Sequence, residues 1–173
     1  MTVSVSLEPV TEDGLTALTR LLELVAYDLS EISGANISEN GLYVTKNDVR
    51  IWYEDPNYDL YFIRADHALA GFVIIKYLAE EDVYYLNHFF VLRKYRRQGV
   101  GRKAAVMAFD RYIGQWRVSQ FDWNVPSQQF WRKVIQDYAN GHIVETRRAD
   151  NKGPVQHFTN CIQHADRMIV REQ

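Results

Sequence analysis

Residues 91–103 read Val-Leu-Arg-Lys-Tyr-Arg-Arg-Gln-Gly-Val-Gly-Arg-Lys. A β-branched and aromatic run, Val83 to Leu92, leads in, and a helix-like stretch, Arg102 to Ile113, leads out. The segment therefore reads as strand, glycine-bearing basic turn, helix. The first turn of a helix has backbone N–H groups without intrahelical partners, and the helix dipole adds partial positive charge there. An anion placed on that end meets both. Gly99 and Gly101 lack Cβ, so a phosphate can come close to the backbone and the turn can take φ > 0. Arg96, Arg97, Arg102 and Lys103 gather charge around the same point. The spacing Arg96-x-x-Gly99-x-Gly101 is neither the dinucleotide fingerprint nor a P-loop. Two glycines near arginines also suit an ordinary solvated turn. The flanking strand and helix favour a bound pyrophosphate.

The rest of the chain places this segment in a longer order. Thr2 to Val10 alternates with period two, a half-buried strand. Thr11 is a candidate N-cap, and Leu15, Leu18, Leu22, Val25 and Leu29 then form one apolar helix face. Ser30 to Gly41 reads as loop, and Asn47 to Tyr53 as a short helix ended by Pro56. Tyr58 to Arg64, Leu69 to Leu78 and Val83 to Leu92 read as three antiparallel strands, with a turn at residues 65–68. Gly114 is a suitable C-cap for the helix Arg102 to Ile113. Trp116 to Trp123 follows a helix, so it is expected to run parallel to Val83 to Leu92. Pro126 opens a helix to about Tyr138, closed by Gly141. His142 to Arg148 and Val155 to Thr159 form a closing hairpin.

Composition excludes several classes. A chain of 173 residues without a linker or repeat is expected to be one domain, 1–173. The formal net charge of −2 argues against general nucleic-acid binding, which needs a broad basic face. No apolar run is long enough for a membrane span, and the N-terminus lacks the pattern of a signal peptide. A cytoplasmic protein is the simplest expectation. The single cysteine, Cys161, excludes an intrachain disulfide, and its apolar setting reads as packing. His67, His88, His142, His157 and His164 are scattered without metal-ligand spacing, so no metal is expected.

The basic turn resembles the acyl-CoA-binding motif of the GNAT acetyltransferases, R/Q-x-x-G-x-G/A, which follows the fourth strand and opens the third helix of that fold. Arg96, Gly99 and Gly101 fill its fixed positions, and Val91 stands at the end of the expected strand. Asn124, followed by Phe130-Trp131-Arg132-Lys133-Val134, is similar to the family's N-x-x-A-x-x-F-Y-x-K-x-G-F stretch. The resemblance covers residues 58–160 and agrees with the element order. It implies an α/β fold with a mixed, mostly antiparallel sheet of about six to seven strands and about four helices. Two parallel strands would splay apart in its middle.

The resemblance further implies acetyl-CoA as cosubstrate and an N-acetyltransferase acting by direct attack of a primary amine, from a small molecule or peptide, on the thioester. The pantetheine arm would lie along Phe89, Phe90 and Val91. The backbone from Gln98 through Gly99, Val100 and Gly101 to Arg102 would hold the pyrophosphate, with Arg96, Arg97 and Lys103 around it. Asn124 and Phe130 would flank the arm. A free amine titrates near 10, so a base or water chain must take its proton. His88 is the first candidate; the alternative is a hydrogen-bonded core histidine, with Tyr85 or Asn87 taking its place across a bulge. Trp131 occupies the position of the family's frequent tyrosine, and an indole N–H does not protonate a thiolate. Tyr138 is the substitute acid, or solvent. A non-catalytic acyl-CoA-binding module is therefore the alternative function, with a nucleic-acid binder behind it. Tyr27, Asp28, Glu31, Tyr53, Glu54 and Asp55 either shape a pocket for a cationic acceptor or form a solvated face. A homodimer is compatible with the resemblance.

Overall fold

Asp66 and His67 both take positive φ, 46° and 68°, the backbone of a two-residue hairpin turn whose twist suits the flanking strands. That turn joins β2 (Tyr58–Ala65) to β3 (Ala68–Leu78), the centre of the sheet. Both strands are rich in β-branched and aromatic residues, and both are buried on two faces along most of their length. The structure is a computed structural model and describes residues 3–43 and 49–161.

Around this hairpin lie β1 (Val5–Pro9), α1 (Leu15–Ser33), α2 (Val49–Glu54), β4 (Val83–Val91), α3 (Val100–Arg111), β5 (Gln115–Ser119), α4 (Val125–Tyr138), β6 (Val144–Arg147) and β7 (Pro154–Thr159). The strands form one sheet in the order β1-β2-β3-β4-β5-β7-β6. Every pairing is antiparallel except β4 with β5. The expected mixed sheet, its parallel middle pair and the four helices are all present. Helices α1 and α2 cover one face, burying Leu18, Leu22 and Val49 against Leu60, Phe62, Phe72 and Ile74. Helices α3 and α4 cover the other, where Phe109 and Trp131 meet Val73, Ile75 and Trp116.

Several boundaries differ from the sequence expectation. Helix α1 runs on to Ser33, because Gly34 closes it with φ 71° where a loop was expected from Ser30. Helix α3 starts at Val100, two residues before Arg102, and ends at Arg111 rather than reaching Gly114. Tyr112 leaves the helix in extended geometry, and its hydroxyl bonds the Tyr61 hydroxyl on β2. Strand β5 stops at Ser119, well short of Trp123. Cys161 is exposed, not packed, because it follows the last strand. His164 and the expected helix start at Asn47 lie outside the described residues.

Candidate active site

The parallel pair decides where a ligand can enter. Strands β4 and β5 pair only through Val83–Gln115, Tyr84–Trp116 and Tyr85–Arg117. β4 then continues to Val91 while β5 diverges toward β7, so the sheet opens into a wedge with Tyr85 and Arg117 at its apex. A β-bulge sharpens the opening. Ile74 pairs with His88 but Ile75 with Leu86, which leaves Asn87 as the extra residue. The bulge shifts side-chain parity. Tyr84 and Leu86 face α3 and α4 before it, and Phe89 and Val91 face them after it.

Above the open end sits the basic turn. Gly99 caps α3 in left-handed geometry, φ 80°, with no side-chain cap, and a Cβ added there would touch nothing within 4 Å. The requirement at this glycine is therefore conformational. At Gly101 it is spatial: a Cβ would lie 3.3 Å from the Phe130 ring. The first helical bond runs from the Lys103 N–H to the Gly99 carbonyl, 3.0 Å. The amides of Val100, Gly101 and Arg102 precede it and have no partner inside the helix.

The charged side chains of the turn are deployed differently from the sequence expectation. The Arg96 guanidinium donates to Asp28 on α1 and, at 2.8 Å, to the Val91 carbonyl, and it lies over the Phe90 ring. Arg93 holds the other oxygen of Asp28. Partial burial alone would raise the Asp28 pKa; the bonds from Arg96 and Arg93 outweigh it and hold the carboxyl below its ordinary value. Asp28 therefore ties α1 to the turn. Lys103 donates to the Val3 carbonyl, 2.7 Å, and Arg102 pairs with Asp137 at 3.6 Å. Arg97 is exposed at φ 60°. Thus Arg96 and Lys103 serve the scaffold, and what the turn offers an anion is chiefly its backbone.

The remaining expected residues divide between the two faces. Phe89 stacks near Phe130 and meets Trp131 edge-on at 4.9 Å, lining the wedge from the α4 side. Phe90 packs on Phe72 on the opposite face, so only its backbone belongs to the wedge. The Asn124 side chain caps α4, accepting from the Ser127 N–H at 3.2 Å. His88 is half-buried, 5.0 Å from the Trp52 ring, with Nδ1 2.9 Å from the Asn87 amide nitrogen. That amide donates, so Nδ1 accepts and the ring proton sits on Nε2. Desolvation lowers the His88 pKa to about 4. Tyr138 lies on the other side of the sheet, its hydroxyl donating to Asp110 at 2.9 Å and accepting from Asn160. It is packed against Phe109 and Phe158. The structure does not bring Tyr138 and His88 together, because the sheet separates them. Of the acidic and aromatic residues near α1 and α2, Asp28 is committed to Arg93 and Arg96, Glu54 pairs with Arg50, and Asp55 bonds Asn57.

Of three polar groups near the wedge, only Tyr85 is a sequence candidate, as a replacement for His88. The Tyr85 and Ser119 hydroxyls meet at 2.6 Å across its apex. Arg117 and Arg148 lie on the same face beside a cavity of about 400 Å³. On the α4 side, Gln120 is buried and follows the alternation of Trp116 and Val118. Arg132 holds Glu145, Glu145 accepts from Gln156, and Gln156 accepts from the Gln120 amide nitrogen. This chain fixes the amide so that Gln120 Oε1 has no donor. None of these pairings has a local sequence signal, since each depends on partners far along the chain.

Comparison with known proteins agrees with this geometry. The sequence profile of the Acetyltransferase (GNAT) family matches residues 28–135. An acetyltransferase from Thermus thermophilus superposes with TM-score 0.68 at 15% identity, covering 92% of this chain and 97% of its own. PaiA N-acetyltransferase from Thermoplasma acidophilum, in complex with coenzyme A, gives 0.61 at 13% identity, covering 90% of this chain and 99% of its own. RimL, a ribosomal alpha-N-protein acetyltransferase in complex with coenzyme A, gives 0.60 at 13% identity, covering 90% and 92%. At these identities the likeness is one of fold. No curated protein matches the sequence. Among the described residues no helix is long and apolar enough to cross a membrane, and no cluster of His, Cys, Asp or Glu is arranged to hold a metal.

Proposed function

This chain belongs to the GNAT acetyltransferase family, and from that premise we propose that residues 1–173 form one cytoplasmic catalytic domain that transfers an acetyl group from acetyl-CoA to a primary amine. The observation that carries the proposal is the wedge between β4 and β5 with the α3 amides at its mouth. In this reading the pyrophosphate rests on the amides from Gln98 to Arg102, with Arg97 and Arg102 at the rim. The pantetheine arm runs along the unpaired edge of β4 from Val91 to Phe89, with Phe130 on its other side.

The amine nitrogen attacks the thioester carbonyl, the C–S bond breaks, and the thiolate takes a proton. A β4 backbone N–H on the open edge stabilises the developing oxyanion. The ammonium proton leaves through the Tyr85–Ser119 hydroxyl pair to cavity water. His88 is a poor base for this step: its free lone pair is held by Asn87, and a group titrating at about 4 seldom accepts a proton at neutral pH. Calorimetry with acetyl-CoA tests the site directly. Wild-type protein should bind, and Gly99→Glu should lose at least about tenfold in affinity, because it sets a carboxylate and a strained φ where the phosphates sit. Equal heats from both proteins would remove the proposal. Trp131 at the customary proton-donor position favours a second reading, a non-catalytic acyl-CoA binder. Steady thiol release with any amine in a panel eliminates it.

A further inference from the structure

The cavity of about 400 Å³ lies on the sheet face opposite α3 and α4, beside the apex of the wedge. Strand β5 contributes Arg117 and Ser119, β4 contributes Tyr85, β7 contributes His157, and the β6–β7 hairpin contributes Arg147, Arg148 and Asp150. Helices α1 and α2 bury the β2–β4 part of this face but leave β5 and β7 uncovered, and apart from Val155 the strand residues here are polar.

The hydrogen-bonding state of each guanidinium decides what the cavity can take. Arg147 spends its fork on Asp122 and two further bonds on Asn151. Arg148 holds Asp150 with Nε and one Nη, stacks over the Phe121 ring at 4.3 Å, and is left with Nη1 only 3.5 Å from Ser119 Oγ. Arg117 is tied to Glu81 through its Nη atoms, and its buried Nε has no acceptor. The Tyr85–Ser119 pair uses one hydroxyl hydrogen between them and has one to spare. Asp150, the one carboxylate in the lining, is already engaged by Arg148 and the Lys152 N–H. Each guanidinium has its own carboxylate, Glu81, Asp122 or Asp150, so the charges balance; what the cavity has in surplus is donors, the Arg148 Nη1 and the spare hydroxyl. Burial, then the nearby Arg117, keeps the His157 pKa below its ordinary value, with Glu81 opposing the shift.

We propose that this cavity selects an amine acceptor that also bears a carboxylate, an amino acid or a close analogue, with the carboxylate on Arg148 and the spare hydroxyl and the amine at the apex of the wedge. The inference rests on the transferase reading and adds the substrate class. A volume of about 400 Å³ is of small-ligand size. Asp150 holds the Nε–Nη2 edge of Arg148, so the remaining Nη1 and the spare hydroxyl 3.5 Å away together face the two oxygens of a carboxylate. The transfer balances simply: the ammonium loses one proton to cavity water, its nitrogen forms the amide, and the second nitrogen proton ends on the coenzyme A thiol.

Thiol release should be measured with amino acids, the matching amino acid amides, and phosphoethanolamine. The wild-type protein should prefer acids over amides by about 10- to 100-fold in kcat/KM, mostly through KM. Arg148→Ala exposes Asp150 to the cavity, so the preference should vanish or invert, while acetyl-CoA affinity by calorimetry stays unchanged. Equal or better turnover of amides, or a preference for phosphoethanolamine, overturns the inference and leaves the transferase intact. Failure to bind acetyl-CoA at all would instead be failure of the transferase reading. A binding arm needs neither turnover nor a variant: with coenzyme A present, N-acetylglycine should bind wild-type protein more tightly than N-acetylglycinamide. Equal binding, or none of either, overturns the inference.

Discussion

Gly99 and His88 show how single residues divide between chemistry and scaffold. Gly99 stands at φ 80° in open space, so any L residue there is strained without clashing. Gly99→Ala is expected to cost about 1 kcal/mol of stability and far less affinity than Gly99→Glu, a contrast that denaturant unfolding and calorimetry on the two variants would measure. Gly101→Val should behave oppositely, since it pushes on the Phe130 ring. His88 has a folded pKa of about 4, below its unfolded value. Between those values the unfolded chain binds the extra proton. The contribution to stability is therefore whole above about pH 6.5 and falls as pH drops toward 4, by about 1–3 kcal/mol. His88→Leu should flatten the stability profile over that window. An unchanged slope would return His88 to the list of candidate bases.

At the scale of elements, the joint between α1 and the β4–α3 turn rests on one carboxylate. Asp28 holds both Arg93 and Arg96, and Arg96 also holds the carbonyl that ends β4. Asp28→Asn should lower stability by about 1–3 kcal/mol, because a partly buried guanidinium loses its charge partner. Each kcal/mol corresponds to about 2–4 °C in Tm at this chain length. The variant should also weaken acetyl-CoA binding without touching an amide of α3. The Asp28 carboxyl is depressed in the folded state, so its stabilisation is present above the unfolded pKa near 4 and lost as pH falls below it. Asn124→Ala removes the cap of α4 and should cost about 0.5–2 kcal/mol. If that variant leaves Tm unchanged but weakens acetyl-CoA binding, the side chain serves the ligand and not the helix.

The sheet has two segments, β1–β4 and β5–β7, paired through three residue pairs and sharing the α3–α4 core. A ligand in the wedge touches both. Saturating acetyl-CoA, at about a hundred times Kd, should add about 2.7 kcal/mol of stability. Amide hydrogen exchange should then slow along β4 beyond Tyr85 and at the start of α4, but hardly in β1 or β2. Uniform slowing would mean that the ligand does not bridge the segments. The order of strands and helices, the parallel middle pair and the glycine-bearing turn before α3 were legible in the chain itself. Each depends on near neighbours: hydrophobic period, a glycine that permits φ 80°, a proline near a helix start. The roles of individual polar groups were not. Arg96 looks like a phosphate ligand until Asp28, 68 residues away, takes it. Asn87 adds one residue to β4 and moves His88 to the face of Trp52, which no count of alternation foresees. Tyr85 meets Ser119 across 34 residues, and Arg148 reaches the same cavity from the closing hairpin. Sequence by itself determined the frame, because local backbone preference and burial period act over a few residues. Tertiary structure alone decided which donors are spent on the scaffold and which remain for a substrate, because a hydrogen bond is settled by whichever acceptor folding brings within about 3 Å.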